Sequence, residues 1–177
     1  MPEIRIDTSH LTYSWFWIPG QLDRFVDGSA TGGAVVQLDP GEYPFQQTRD
    51  RACDVAFRVT PEGTVDFDAE HDHLLGGRGT STLHVVGVPV TLNPKGSPRP
   101  LLPMWGGCHE PIGTRMRTVR MPPGTAYEIR LGHRPSAVLE FSVAADGRVD
   151  YPREYDRALS GRGTACLTVD LDTLARH

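Results

Sequence analysis

Cys108-His109-Glu110 puts a thiol, an imidazole and a carboxylate on consecutive residues. His109 can exchange a proton near neutral pH, Cys108 can attack as a thiolate, and Glu110 can take or hold a proton. On an extended chain neighbouring side chains point to opposite faces, so Glu110 falls on the side of Cys108 while His109 faces away. The trio is therefore read as a candidate catalytic group led by His109, and not as a coupled thiol–imidazole pair. A second group is aromatic. Along Leu11–Ile18, Tyr13, Trp15 and Trp17 share one face of a strand, while Thr12, Ser14, Phe16 and Ile18 share the other. Trp105 lies in the apolar stretch 101–110, so these two segments hold all three Trp of the chain. Trp offers a large contact area with few rotamers to freeze. Tyr13, Trp15, Trp17 and Trp105 are accordingly the expected ligand-binding residues.

His71-Asp72-His73 offers different chemistry. Two His at i and i+2 on a strand face one way and can share a metal ion. The pair resembles the first part of the cupin metal motif, in which a Gly precedes His-x-His and a Glu follows. Seven residues separate Gly63 from His71, and no Glu follows within five residues of His73. The second cupin element would fall on Pro122-Pro123-Gly124, where Tyr127 stands at the His position. The resemblance implies an alternative, a metal-dependent enzyme using His71, His73 and His109. Otherwise no metal or organic cofactor is expected, because the nucleotide-binding glycine patterns are absent. The Gly77-Arg78-Gly79-Thr80 element matches neither of them. An EF-hand loop counted from Asp66 would place His71 sixth and Gly77 twelfth, where a Gly and a bidentate acid are needed.

The elements that must position these residues are organised by an internal repeat. Residues Tyr43 to Val86 lie on Tyr127 to Asp170 without a gap at a shift of 84, with 15 of 44 positions identical. Upstream, Leu38-Asp39-Pro40-Gly41 meets Met121-Pro122-Pro123-Gly124 at a shift of 83, so one residue is inserted after the Pro-Gly turn. Within each copy, apolar residues alternate (Val55, Phe57, Val59; Leu139, Phe141, Val143) and a turn follows at Glu62-Gly63 or Asp146-Gly147. Arg78 and Arg162 are expected to pair with acids of their own copy, drawn from Asp66/Asp150, Glu70/Glu154 or Asp72/Asp156. What repeats is read as frame, and what occurs once is read as the place for chemistry.

The fold class expected is all-β: a pseudo-twofold duplicated β-unit forming a sandwich or squat barrel of about ten to twelve strands. Segments 1–33 (an aromatic strand region), 34–97 (first repeat), 98–114 (apolar linker) and 115–177 (second repeat) would make one compact domain. With 177 residues and 38% hydrophobic composition the chain can bury a core. The formal charge of −4 argues against nucleic acid as a partner, and no apolar run suits a membrane helix. Three cysteines are too few for a disulfide framework, and the first residues show no signal-peptide pattern. The expected setting is the cytoplasm. Arg supplies 17 of 18 basic residues, with Lys95 the exception, which suggests a bacterial genome rich in GC. The functional expectation is a small-molecule-binding β-protein of secondary metabolism, compatible with a homodimer. It would act on an apolar metabolite as a cofactor-independent isomerase, cyclase or lyase. A non-catalytic protein-interaction module is the remaining alternative.

Overall fold

Alternation of apolar and polar residues sets the strands. In Glu3–Asp7, Ile4 and Ile6 are fully buried while Glu3 and Arg5 are exposed. In Thr82–Val85, Leu83 and Val85 are buried between half-buried Thr82 and His84. The computed structural model describes every residue except 31, 48–54, 97–102, 106–109, 112, 114, 132–137, 175 and 177. Among the described residues the class is all-β, with eighteen strands in five sheets and one α-helical turn, Leu171–Leu174. That exceeds the ten to twelve strands expected, because many extended stretches are broken into two-residue pairs by turns. Each sheet order has two end strands, so none closes into a barrel. No helix among the described residues is long and apolar enough to cross a membrane.

The chain divides into two compact units, Met1–Val88 with Arg120–Pro123, and Pro89–Val119 with Gly124–His177. The first contains β1 (Glu3–Asp7), β2 (Trp15–Phe16), β3 (Val26–Asp27), β4 (Ala34–Gln37), β5 (Gly41–Pro44), β6 (Ala56–Val59), β7 (Val65–Asp66), β8 (Leu75–Gly76) and β9 (Thr82–Val85). Its sheets run β4-β1-β9-β8, β5-β6-β7 and β2-β3. The second half of the chain supplies β10 (Val88–Lys95), β11 (Pro103–Trp105), β12 (Glu110–Pro111), β13 (Arg117–Met121), β14 (Gly124–Leu131), β15 (Val138–Val143), β16 (Val149–Asp150), β17 (Leu159–Ser160) and β18 (Cys166–Asp170). Here the orders are β13-β10-β18-β17 and β12-β11-β14-β15-β16. In each unit a parallel pair, β1 with β9 or β10 with β18, lies inside the sheet, while β1 with β4, β8 with β9 and β17 with β18 are antiparallel.

Register recurs from one unit to the other at the sequence shift of 84. Tyr43 faces Phe57 as Tyr127 faces Phe141, Val59 faces Val65 as Val143 faces Val149, and Leu75 faces Val85 as Leu159 faces Val169. The connection after β7 forms one 3-10 turn at Ala69–His71, and that after β16 forms its counterpart at Arg153–Tyr155. The inserted residue is absorbed as an irregularity of β14 between Gly124 and Tyr127, where β5 runs in simple register. A bulge takes up an odd residue without turning the strand's faces over.

The stretch 98–114, read from sequence as a linker, contributes β11 and β12 to a sheet. There Met104 faces Arg130, and in unit 1 Trp17 faces Gln46, which stands 84 residues before Arg130. Trp17 of the N-terminal region and Met104 of β11 thus stand opposite corresponding residues, by an isolated bridge in unit 1 and within a strand pair in unit 2. The sequence boundaries at 33/34 and 97/98 also differ from those of the compact units, because β1 belongs to the same sheet as β9.

Candidate functional site

The aromatic face of β2 and β3 is built from a strand whose other face is core. Phe16 and Ile18 are fully buried, and the Phe16 ring stacks on Phe45 at 5.9 Å. By alternation Trp15 is turned outward and is 43% exposed, with Tyr13 and Trp17 half-buried beside it. Trp17 is fixed on several sides. Its backbone exchanges hydrogen bonds with Gln46 at 2.8 and 3.2 Å, and its indole Nε1 donates to Leu22 O at 2.5 Å. Its ring lies 6.3 Å from that of Phe25. Behind Tyr13, the buried Gln47 donates from Nε2 to the Tyr13 carbonyl at 2.6 Å. Across the ribbon Trp15 faces Asp27, whose carboxylate accepts from Ser14 Oγ at 2.6 Å. That hydrogen bond, joined by the Ser29 backbone N–H, holds the Asp27 carboxyl below its ordinary range. The exposed Trp15 ring and an ionised carboxylate are therefore presented side by side on a two-stranded ribbon, with half-buried Tyr13 and Trp17 flanking the strand.

The other expected residues are dispersed. Trp105 and Glu110 belong to unit 2 and face each other directly across β11 and β12. Cys108 and His109 lie outside the described residues. His71 ends a 3-10 turn and His73 follows in the adjoining turn, so neither stands on a strand and the shared face of an extended His-x-His does not arise. His71 Nδ1 is buried without a hydrogen bond and Nε2 is 3.8 Å from the Glu70 carboxylate. Asp72, between the two His, is engaged by Arg78 at 2.6 Å. Among the described residues no three His, Cys, Asp or Glu side chains group to hold a metal ion.

The repeated Arg residues make matching contacts in both copies. Arg78 Nη2 donates to Phe67 O at 2.7 Å and to Asp72 at 2.6 Å, Nε is 3.4 Å from Asp66, and the guanidinium lies 4.5 Å over the Phe67 ring. Arg162 repeats this with Tyr151 O at 3.0 Å, Asp156, Asp150 at 3.4 Å and the Tyr151 ring at 4.5 Å. The glycine before each Arg has a geometric reason. At Gly77 (φ +89) and Gly161 (φ +100), a Cβ would sit 1.9 Å from the carbonyl oxygens of Thr82 and Cys166.

One chemically capable pair is hidden from the sequence. The parallel pairing of β1 with β9 sets Asp7 beside His84, and Nδ1 lies 3.0 Å from Asp7 Oδ2. The Asp7 side chain is 13% exposed and that of His84 is 43% exposed. Burial would raise the Asp7 carboxyl, but the Ser9 hydroxyl and backbone N–H, with His84, outweigh it and hold the group below its usual value. An ionised carboxylate only accepts, so Nδ1 is the donor and Nε2 carries the lone pair of the neutral ring. At the corresponding place in unit 2, Asn93 Nδ2 donates to Thr168 Oγ1 at 3.2 Å. The pair joins residues 77 positions apart, which no local pattern reveals. The one available signal was the contrast of Asp7 and His84 with Asn93 and Thr168 once the strands are aligned.

No family model, curated protein or solved structure matches the chain significantly.

Proposed function

We propose that the chain is a small-molecule-binding β-protein whose ligand contacts the outward aromatic face of β2 and β3. The observation that carries this reading is the sidedness of the strand. Phe16 and Ile18 satisfy the core, so Trp15 at 43% exposure is not needed there. A large exposed apolar side chain beside further half-buried aromatics forms a patch of the kind that marks binding surfaces. Trp17 and its hydrogen bond to Leu22 O hold the patch in shape before any ligand arrives, which limits the ordering a ligand must impose. Asp27, kept ionised, supplies an acceptor at the edge for a hydroxyl or ammonium group on an otherwise apolar ligand. Beneath this reading lies a finer architecture, one β-unit duplicated, supported by the 84-residue recurrence of register. Chemistry without a cofactor, of isomerase, cyclase or lyase type, is the activity such a protein would carry. The Arg-rich basic composition and the sparse cysteines favour the cytoplasm of a bacterium as its setting.

The test is titration with 8-anilinonaphthalene-1-sulfonate as an aromatic probe, read by its fluorescence, on wild type, Trp15→Ala and Trp105→Phe. Trp15→Ala should weaken probe binding about tenfold or more while shifting stability by no more than about 0.5 kcal/mol, as surface changes do. Unchanged probe affinity in Trp15→Ala overturns the reading. Loss only in Trp105→Phe would move the site to unit 2.

A further inference from the structure

We propose that the outer face of β1 and β9 is an acid–base site for a small carboxylate, with His84 Nε2 as the general base, Asp7 as its positioning partner and Arg5 as the anion anchor. This site does not rest on the aromatic face of β2 and β3. Arg5, Asp7, Thr82 and His84 alternate with the buried Ile4, Ile6, Leu83 and Val85, so all four side chains leave the sheet on one side. Arg5 pairs with Thr82 and Asp7 with His84, which makes Arg5 the diagonal neighbour of His84. Sheet geometry sets such neighbours roughly 7–8 Å apart. A carboxylate held at Arg5 can therefore bring the next carbon or two of the same molecule over the imidazole. Arg5 Nη1 makes one long contact, 3.5 Å to Gly32 O, which leaves the other donors of the fork for a ligand. On the other side of His84, β8 places Gly76 directly opposite, where a Cβ would stand 3.5 Å from that of His84. The absence of a side chain there leaves this edge of the ring uncovered.

The chemistry needs no added reactant. Nε2 takes a proton from the carbon next to the substrate's carbonyl, and the electron pair moves into the enolate. Asp7 stabilises the imidazolium; return of its proton to a neighbouring atom of the enolate gives isomerisation, and exchange of the imidazolium N–H with solvent before the return gives hydrogen exchange. Glu3, one alternation beyond Arg5 on β1, disfavours an anion farther along the strand and keeps the carboxylate on the His84 side. Unit 2 lacks the whole set: Thr91, Asn93, Ser160 and Thr168 stand where unit 1 has Arg5, Asp7, Gly76 and His84.

Pyruvate is a suitable probe, because it carries a carboxylate and a methyl group next to its carbonyl. Exchange of the methyl protons in D2O, followed by proton NMR, should be faster with wild type than with His84→Gln by about a hundredfold, the low end for a positioned acid–base group. Asp7→Asn should fall between them, and Arg5→Met should raise the pyruvate concentration needed for half-maximal rate. Amide spectra matching wild type establish that each variant is folded. Should His84→Gln not fold, the isosteric Asp7→Asn carries the test through its reduced rate. Equal exchange in wild type and the folded variant overturns the proposal, as does a rate that Arg5→Met leaves unchanged at every pyruvate concentration.

Discussion

Unit 1 and unit 2 hold the same arginine by the same contacts, yet present different chemistry on the outer face of the sheet that contains their parallel pair. Arg78 and Arg162 each bridge two aspartates and cover an aromatic ring at 4.5 Å. On that sheet, by contrast, the hydrogen-bonded cross-strand pair Asp7–His84 of unit 1 stands where unit 2 has Asn93 and Thr168. The difference separates two kinds of position. Residues that set a turn, fill the core or close a loop are tied to the register and recur. Residues that alternate outward from a strand leave the register untouched, so they can diverge without disturbing what lies beneath.

The largest test of the shared frame is in the cores. Phe57 and Phe141 are at most 2% exposed and face Tyr43 and Tyr127 with ring separations of 5.8 and 5.6 Å. Phe57→Ala and Phe141→Ala should each lower stability by about 3–5 kcal/mol in urea unfolding. A difference above about 1 kcal/mol between them would break the equivalence of the units. Next come Gly77→Ala and Gly161→Ala, each meeting a backbone oxygen at 1.9 Å in a left-handed conformation. A loss of about 2–3 kcal/mol in both is expected from the same measurement.

Arg78→Ala and Arg162→Ala should have smaller effects, since the side chains are 40% and 31% exposed and water screens their ion pairs. About 0.5–1 kcal/mol each is expected, with the ring contact included, and part of it should vanish in high salt. A loss of ligand binding without any shift in melting would reassign the arginine to a site. The smallest effect sharpens the contrast between the units. Asp7 has a folded carboxyl pKa lowered from 3.8, so its stabilisation is present above that value and is lost as pH falls through the lowered one. Asp7→Asn should flatten the acid limb of stability below about pH 4, whereas Asn93→Gln should leave it unaltered. An acid limb identical in wild type and Asp7→Asn would show that the carboxylate has no such role.

Much of the frame was legible in the residues. The alternation around Phe57 and Phe141, the glycines of the turns, the extra residue before Tyr127 and the partners of Arg78 all follow from local spacing or from comparing one copy with the other. The sidedness of Trp15–Ile18 was legible too, though not which side is the core; before it the chain bends, so Leu11 is buried and Thr12 exposed against the expected alternation. Other features were out of reach of any local pattern. Residues 103–111 read as a linker because Pro, Gly and apolar residues mask short strands, and a two-residue strand is defined only by the neighbour it pairs with. The His71-x-His73 spacing suggested a shared face because it assumed extended backbone, whereas a 3-10 turn rotates the two side chains apart.

By itself the sequence determined the strand periodicity, the turn glycines and the Arg–Asp pairing, because each depends on residues close along the chain. Tertiary structure decided that Trp17 and Met104 stand opposite the corresponding residues Gln46 and Arg130, and that Asp7 meets His84. Both depend on which strand lies beside which. A parallel pairing joins residues 77 positions apart, and that contact is fixed by burial of Ile4, Ile6, Leu83 and Val85 beneath it rather than by anything in the outward side chains themselves.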